Sequence, residues 1–402
     1  MTRVLIAGVS TRAAAASAAR AGFDAIALDG YADRDQDPRV AALSLPREGG
    51  IAFTAAAAAV AALRITADAA VYLSNFENDP AAVATLATGR ALWGNSPNVL
   101  HRARDPFVVA AMFRAHGLPT PLLRTDPNEN DPNVPNDPNN WLLKPFSSGG
   151  GRNIRPWDGR RVPRGWYLQQ RIAGVPGSVV FAAAAGRAVP LGVSRQLIGD
   201  ERFGASRFRY CGSILAPAND AQFTPGDRLV RAAHALADAA AAGLQLAGVN
   251  GIDFVARGDV PFPVEINPRW SASMELVERA CGVNVFAAHA AACTTAELDV
   301  APLPPRHAVG KAIVFARHPA IIGNTDRWLS DPDVRDVPHQ GETISADSPV
   351  CTVFAEASDA AACEAALVAR AGSIYTDLAR WQAASASPVP PITNHKSQIT
   401  NE

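Results

Sequence analysis

Cysteine is scarce in this chain, and its placement excludes most of what cysteine usually does. Cys211, Cys281, Cys293, Cys351 and Cys363 are the only five among 402 residues, an odd number with no CxxC pair. Neither a zinc site nor a disulfide framework fits that pattern, which leaves buried free thiols. Long apolar runs are missing too. The Ala-rich stretch 55–62 is too short and too weakly apolar to span a bilayer. The opening MTRVLIAGVS lacks the charged start, apolar stretch and small-residue cleavage site of a secretory signal. The expectation is a cytoplasmic protein without a membrane partner. Excess charge is absent as well: the formal net charge is -1, which argues against nucleic acid as a partner. GxGxxG and GK[ST] do not occur, so neither a dinucleotide fingerprint nor a Walker A loop is present.

What the chain does have is core-forming material. Hydrophobic residues make up 48% and charged residues 19%, enough apolar content for two or three folded domains. RVLIA (3–7) reads as a buried parallel strand, 12–21 as an Ala-rich helix ended by Gly22, and FDAIALD (23–29) as the next strand. Val71–Ser74 and Ala91–Gly94 read as later strands of the same sheet, giving a Rossmann-like opening. Ser10, Thr11 and Arg12 either cap the first helix or contact a substrate at the carboxyl ends of the strands.

The spacing predicts a helix over 105–118, closed by LPTP. The Asp/Pro/Asn-rich segment 126–140 cannot pack a core and reads as a mobile surface insertion; its prolines break the ligand spacing of a calcium loop. WLLKPF (141–146) is a strand carrying Lys144, followed by the glycine-rich turn 147–151. Segments 166–172, 178–185 and 188–199 are strands, and 226–243 is a helix. GVNGIDFVA (248–256) and FPVEINP (262–268) form a hairpin, followed by a helix over 271–282. Strands within 306–357, a helix over 358–371 and a polar, disordered tail over 385–402 complete the chain.

Three groups of residues carry chemistry. In PVEINPRWSAS, Glu265, Asn267 and Arg269 stand at alternating positions, so a strand aims a carboxylate, an amide and a guanidinium at one place. Such polarity on a half-buried face needs something to pair with, and a metal ion bridged to phosphate would serve. Asp253, on the neighbouring strand, either joins Glu265 and Asn267 as a metal ligand or is a surface acid. Lys144 with the turn behind it either neutralises phosphate charge beside exposed N–H groups or is an ordinary surface lysine on a hairpin.

The order of WLLKPFSSGGG, YLQQRIAGVPGSVV, GVNGIDFV and PVEINPRWSASMEL resembles the ATP-grasp superfamily of carboxylate–amine ligases, in a subgroup of predicted ATP-dependent carboligases similar in layout to biotin carboxylase. The resemblance implies an α/β and α+β fold: a Rossmann-like domain at 1–100, an ATP-grasp domain at 101–300 with a lid near 120–180, and a strand-rich part at 301–384. It implies that ATP lies between two lobes, with Lys144 on its phosphates. Ser147, Ser148, Gly149, Gly150 and Gly151 would form the lid, and the backbone of Gln170, Arg171 and Ile172 would face the adenine. Asp253, Glu265 and Asn267 would hold one or two Mg²⁺, or Mn²⁺ in their place, and Arg269 would face an acyl phosphate, with Lys144 and Arg269 as the catalytic cations; the plain alternative for Arg269 is a salt bridge to Glu275 or another acid.

Such ligases carry another lysine early in this domain. Here RARDPFVV has Asp105 and Pro106, and Arg102 or Arg104 is the cation available. The implied reaction activates a carboxylate with ATP for attack by an amine, in small-metabolite or coenzyme biosynthesis. A small-molecule acid and amine would be the partners, and a homodimer is a further expectation. A bicarbonate-dependent carboxylase and a non-catalytic ATP-binding regulator are the alternatives.

Overall fold

Four sheets organise the chain in the computed structural model, which describes residues 1–126, 137–147, 149–218, 220 and 227–386. The first sheet is parallel: β1 (Arg3–Gly8), β2 (Asp24–Asp29), β3 (Ala41–Ser44), β4 (Ala69–Tyr72) and β5 (Ala91–Leu92), in the order β3-β2-β1-β4-β5. Near-continuous apolar runs such as RVLIAG suit strands covered on both faces. The small residues Ala14, Ala15 and Ala18 let the helix Arg12–Arg20 pack closely on one of those faces.

Thr11 does not cap that helix with its side chain. Its N–H and hydroxyl both donate to Asp29 Oδ2 at 2.6 Å, while Tyr31 and Ala32 N–H donate to Asp29 Oδ1. The buried carboxylate at the end of β2 thus organises the turn beside it.

The second sheet is small: β6 (Leu123–Arg124), β7 (Trp141–Pro145), β8 (Arg155–Pro156) and β9 (Trp166–Gln170), ordered β6-β9-β7-β8. Trp141, Leu143, Trp157, Val162 and Leu168 give it its own core. The predicted insertion over 126–140 falls largely outside the described residues.

The third sheet has eight strands. β10 (Val175–Ala184), β11 (Arg187–Ile198), β12 (Tyr210–Leu215), β13 (Gly248–Arg257), β14 (Val260–Asn267) and β15 (Ala308–Phe315) are joined by β17 (Val334–Arg335) and β19 (Pro349–Ala357), in the order β14-β13-β10-β11-β12-β15-β19-β17. Residues beyond 306 therefore continue the central sheet. β16 (Ala320–Ile321) and β18 (Thr343–Ile344) form a separate pair. The helix Asp227–Leu244 sets Leu229, Leu236 and Leu244 into a core with Phe181 and Val193.

The predicted helix over 105–118 is the helix Pro106–Ala115, and a separate helix, Pro97–Ala103, precedes it. Each begins with Pro at its first position behind a Ser or Asp cap, where the missing N–H costs nothing. The last helix runs over Ala360–Ala386 and does not stop before Gly372. The apolar face of Cys363, Leu367, Ala371, Ile374 and Leu378 is buried against Val314 and Val353, and that packing overrides a single glycine. The predicted tail thus begins within a helix at 385–386, and its remainder, 387–402, lies outside the described residues.

Among the described residues no helix is long and apolar enough to cross a membrane.

Candidate nucleotide and metal site

Strand pairing builds the centre of the site. β13 and β14 are antiparallel, with Asp253 opposite Glu265 and Gly251 opposite Asn267. Directly opposed side chains in such a pair lie close together. Two amides hold Asp253: Asn267 Nδ2 donates to its Oδ2 at 3.0 Å, and Gln196 Nε2 donates to its Oδ1 at 2.8 Å. Burial, and then the Glu265 charge, pushes the Asp253 carboxyl up to about 6. Burial would raise Glu265 as well, but Arg104, Lys144 and Arg269 hold it below the usual range. Arg104 Nη1 donates to Glu265 Oε1 at 2.5 Å.

Lys144 approaches from β7. It is buried, and its Nζ donates to Gln169 Oε1 at 3.0 Å and to the Val264 carbonyl at 3.2 Å. Arg269 follows the end of β14, and its Nη2 donates to Glu77 Oε1 at 2.6 Å. Glu77 comes from the short turn Phe76–Asn78 after β4 and is 2% exposed. Tyr72 and Asn95 hold the same junction, since both donate to the Pro268 carbonyl.

Of these groups, the side chains of Lys144, Gln169, Gln196, Asp253, Glu265, Asn267 and Arg269 face a cavity of about 890 Å³. Of the residues expected at the site, Lys144, Gly150, Gly151, Arg171, Ile172, Asp253, Glu265, Asn267 and Arg269 line it. Ser147, Gly149 and Gln170 do not, and Ser148 lies outside the described residues. The Gln170 N–H donates to the Leu122 carbonyl and its side chain accepts from Leu122 N–H, while Arg171 N–H donates to the Asn140 carbonyl. The backbone donors of Gln170 and Arg171 are therefore used to attach β9 to its neighbours.

The turn 149–151 lies against the segment before β12. Gly150 accepts from Tyr210 N–H, and Gly151 has a φ of +75°. A Cβ at Gly151 would stand 1.7 Å from the Phe208 carbonyl oxygen, so only glycine fits.

A second polar region lines the far end of the cavity. Arg12 Nη2 donates to Glu275 Oε1, Arg12 Nε to Asp336 Oδ1, and Lys311 Nζ to Glu275 Oε2, each at 2.7 Å. Burial would raise Glu275, but Arg12 and Lys311 hold it well below the carboxylate range. Arg12 comes from the first helix, Glu275 from the helix Ala272–Cys281, Lys311 from β15, and Asp336 from just after β17. Arg12 is thus part of a cavity wall rather than of a helix cap.

Sequence reading missed Glu77, Gln169, Gln196, Glu275, Lys311 and Asp336. Only Gln169 carried a signal, because it alternates with Tyr167 on a strand already placed beside Lys144.

Among the described residues no group of three or more His, Cys, Asp or Glu side chains is arranged to hold a metal ion. Two carboxylates and an amide are a sparser set, suited to Mg²⁺ that shares its remaining positions with water and phosphate. The raised Asp253 carboxyl supports the fit: the site holds a second negative charge that a divalent cation would offset.

Residues 103–273 match the model of an ATP-grasp domain. A stretch of 112 residues is 28% identical to an uncharacterized protein of Methanocaldococcus jannaschii, covering 28% of this chain and 27% of that one. The match thus spans about a quarter of that relative's length. Biotin carboxylase from Campylobacter jejuni, a complex with β-γ-ATP, is similar in fold, with a TM-score of 0.66 over 90% of this chain and 89% of that one at 16% identity. L-amino acid ligase from Bacillus licheniformis has a TM-score of 0.66 over 95% and 98% at 14% identity.

Proposed function

We propose, from the match of residues 103–273 to the model of an ATP-grasp domain, that the protein is an ATP-dependent ligase that activates a small carboxylate as an acyl phosphate for attack by an amine. The observation that carries the reading is the placement of Asp253 opposite Glu265, with Lys144 and Arg269 in the same cavity. Pure nucleotide binding has no need of a buried guanidinium beyond the carboxylates.

Each residue has a role in this scheme. Lys144, held by Gln169 and Val264, presents its charge to the nucleotide phosphates. Gly150 and Gly151 close the turn over them. The Ile172 N–H makes no hydrogen bond to a described residue and is the donor left at the end of β9 for a base. Asp253, Glu265 and Asn267 would hold Mg²⁺, which when bound supplies further charge neutralisation at the phosphates.

A carboxylate oxygen of the acid substrate attacks the γ-phosphorus, and the bond to the ADP oxygen breaks. The amine nitrogen then attacks the acyl carbon, phosphate leaves with the bonding pair, and the amine gives up its proton. Arg269 stabilises the negative charge on the transferred phosphoryl group. The region around Arg12, Glu275, Lys311 and Asp336 bounds the space left for the acid and the amine.

The test is ADP release from MgATP with pooled carboxylates and pooled amines, with Glu265→Gln as control. Release that needs one acid and one amine and vanishes in the variant supports the ligase. Release that needs bicarbonate instead identifies a carboxylase. No release, with ATP bound, identifies a regulator.

A further inference from the structure

Where related sequences are expected to carry a lysine, this chain has Pro106, and the two arginines before it have different fates. Arg102 Nη2 donates to the Gly243 carbonyl and fastens the helix Asp227–Leu244. Arg104 reaches the site. Its Nη1 donates to Glu265 Oε1 at 2.5 Å and its Nε to Asn78 Oδ1 at 3.2 Å.

The pair is mostly shielded, with 13% of the Arg104 side chain and 26% of the Glu265 side chain exposed, so its charges interact more strongly than in water. Arg104 also borders a small cavity of about 50 Å³ whose walls include Lys144, Gln169 and Glu265. Those three residues line the large cavity too. Arg104 therefore borders a cavity that shares Lys144, Gln169 and Glu265 with the large one.

The guanidinium takes Glu265 Oε1, and a divalent cation drawn to the same carboxylate competes for its charge and repels the guanidinium. We propose that Arg104 is a phosphate-binding residue held in reserve by Glu265. Cation uptake at Glu265 displaces the guanidinium, which then pairs with the phosphates of a nucleoside triphosphate. The inference rests on the nucleotide reading above. It makes Arg104, two positions before Pro106, the cation that serves in place of the expected lysine. A merely structural Arg104, pinning the Phe76–Asn78 turn to β14, would predict a different pattern.

The test is binding, not turnover. Mn²⁺ alone and MgATP are titrated by calorimetry into wild-type protein, Arg104→Met and Arg104→Lys. The proposal expects opposite signs from one substitution. Arg104→Met binds Mn²⁺ about tenfold tighter, because its competitor is gone, and MgATP at least about tenfold weaker. Arg104→Lys recovers part of the MgATP affinity.

Glu265→Gln supplies an independent arm. It binds metal-free ATP tighter than wild type, because Arg104 is no longer held, and adding Arg104→Met removes that gain. Unchanged or weaker Mn²⁺ binding in Arg104→Met overturns the competition. MgATP binding that is unchanged in Arg104→Met, with wild type binding well, overturns the proposal alone. Absence of MgATP binding in wild type overturns the nucleotide reading and the proposal with it.

Discussion

Arg269 and Glu77 form a buried ion pair across 192 positions of sequence, at 10% and 2% side-chain exposure. Among the described residues Glu77 accepts through Oε1 alone, from Arg269 Nε at 3.0 Å and Nη2 at 2.6 Å, and its buried Oε2 has no partner there. The five-stranded domain thus fixes where the guanidinium points. Removing one member of a buried pair strands the other charge, which typically costs about 3–5 kcal/mol. Glu77→Ala is expected to lose stability on that scale in urea denaturation. Glu77→Leu combined with Arg269→Met is expected to recover most of it while ADP release stays abolished. Loss in Glu77→Ala of less than about 1 kcal/mol would show that the pair is not held as described.

The turn 149–151 makes a separable prediction. At Gly151 both the positive φ and the 1.7 Å approach to the Phe208 carbonyl exclude a side chain. Gly151→Ala is expected to lower ADP release at least about tenfold by holding the turn off the segment before β12. The melting temperature should change little, because the turn contributes nothing to the core of its sheet. Gly149→Ala, where a Cβ meets nothing within 4 Å, serves as the control and should be near neutral.

The two opposed carboxylates should differ in their response to substitution. Asp253→Asn keeps the shape and the bond to Gln196, requires the Asn267 amide to turn its oxygen toward the new NH2, and removes a charge that burial and Glu265 already disfavour. It is expected to be at least as stable as wild type, since it relieves a buried like-charge contact. Metal-dependent ADP release is expected to fall about 100-fold. A variant that is both less stable and fully active would contradict the assignment of Asp253 to the cation.

The hairpin of β13 and β14 was legible because its information is local. A strand, a short turn and a strand with alternating Glu265 and Asn267 fix which side chains share a face. Lys144 was legible for the same reason. Glu77 and the Arg12–Glu275–Lys311 group were not, since Arg12 and Glu275 are 263 positions apart and nothing in either neighbourhood signals the other. The longer last helix has a packing cause: Gly372 carries a strong average tendency to end a helix, and the burial of Leu367, Ala371 and Ile374 around it decided against that. Gln170 shows a third limit: its place at the strand end was readable, but not that its N–H and side chain would be spent on Leu122.

His289 gives the fold a calculable response to acid. It is 3% exposed, accepts from Val249 N–H at Nδ1 and donates from Nε2 to the Trp93 carbonyl. It thereby joins the end of the five-stranded sheet to β13 as a neutral ring. Burial pushes its pKa down to about 4. The unfolded chain, with a histidine pKa near 6.5, binds the proton more readily than the folded chain between those values. The sign follows: the contribution is complete above about pH 6.5 and is lost as pH falls toward 4, below which both states are protonated. A shift of this size is worth roughly 3 kcal/mol. Urea denaturation from pH 7.5 to 4 should show that loss. His289→Asn, whose carbonyl can still accept from Val249, should be less stable at pH 7.5 but flatter across the range. An equal slope in the variant would place the acid sensitivity elsewhere in the molecule.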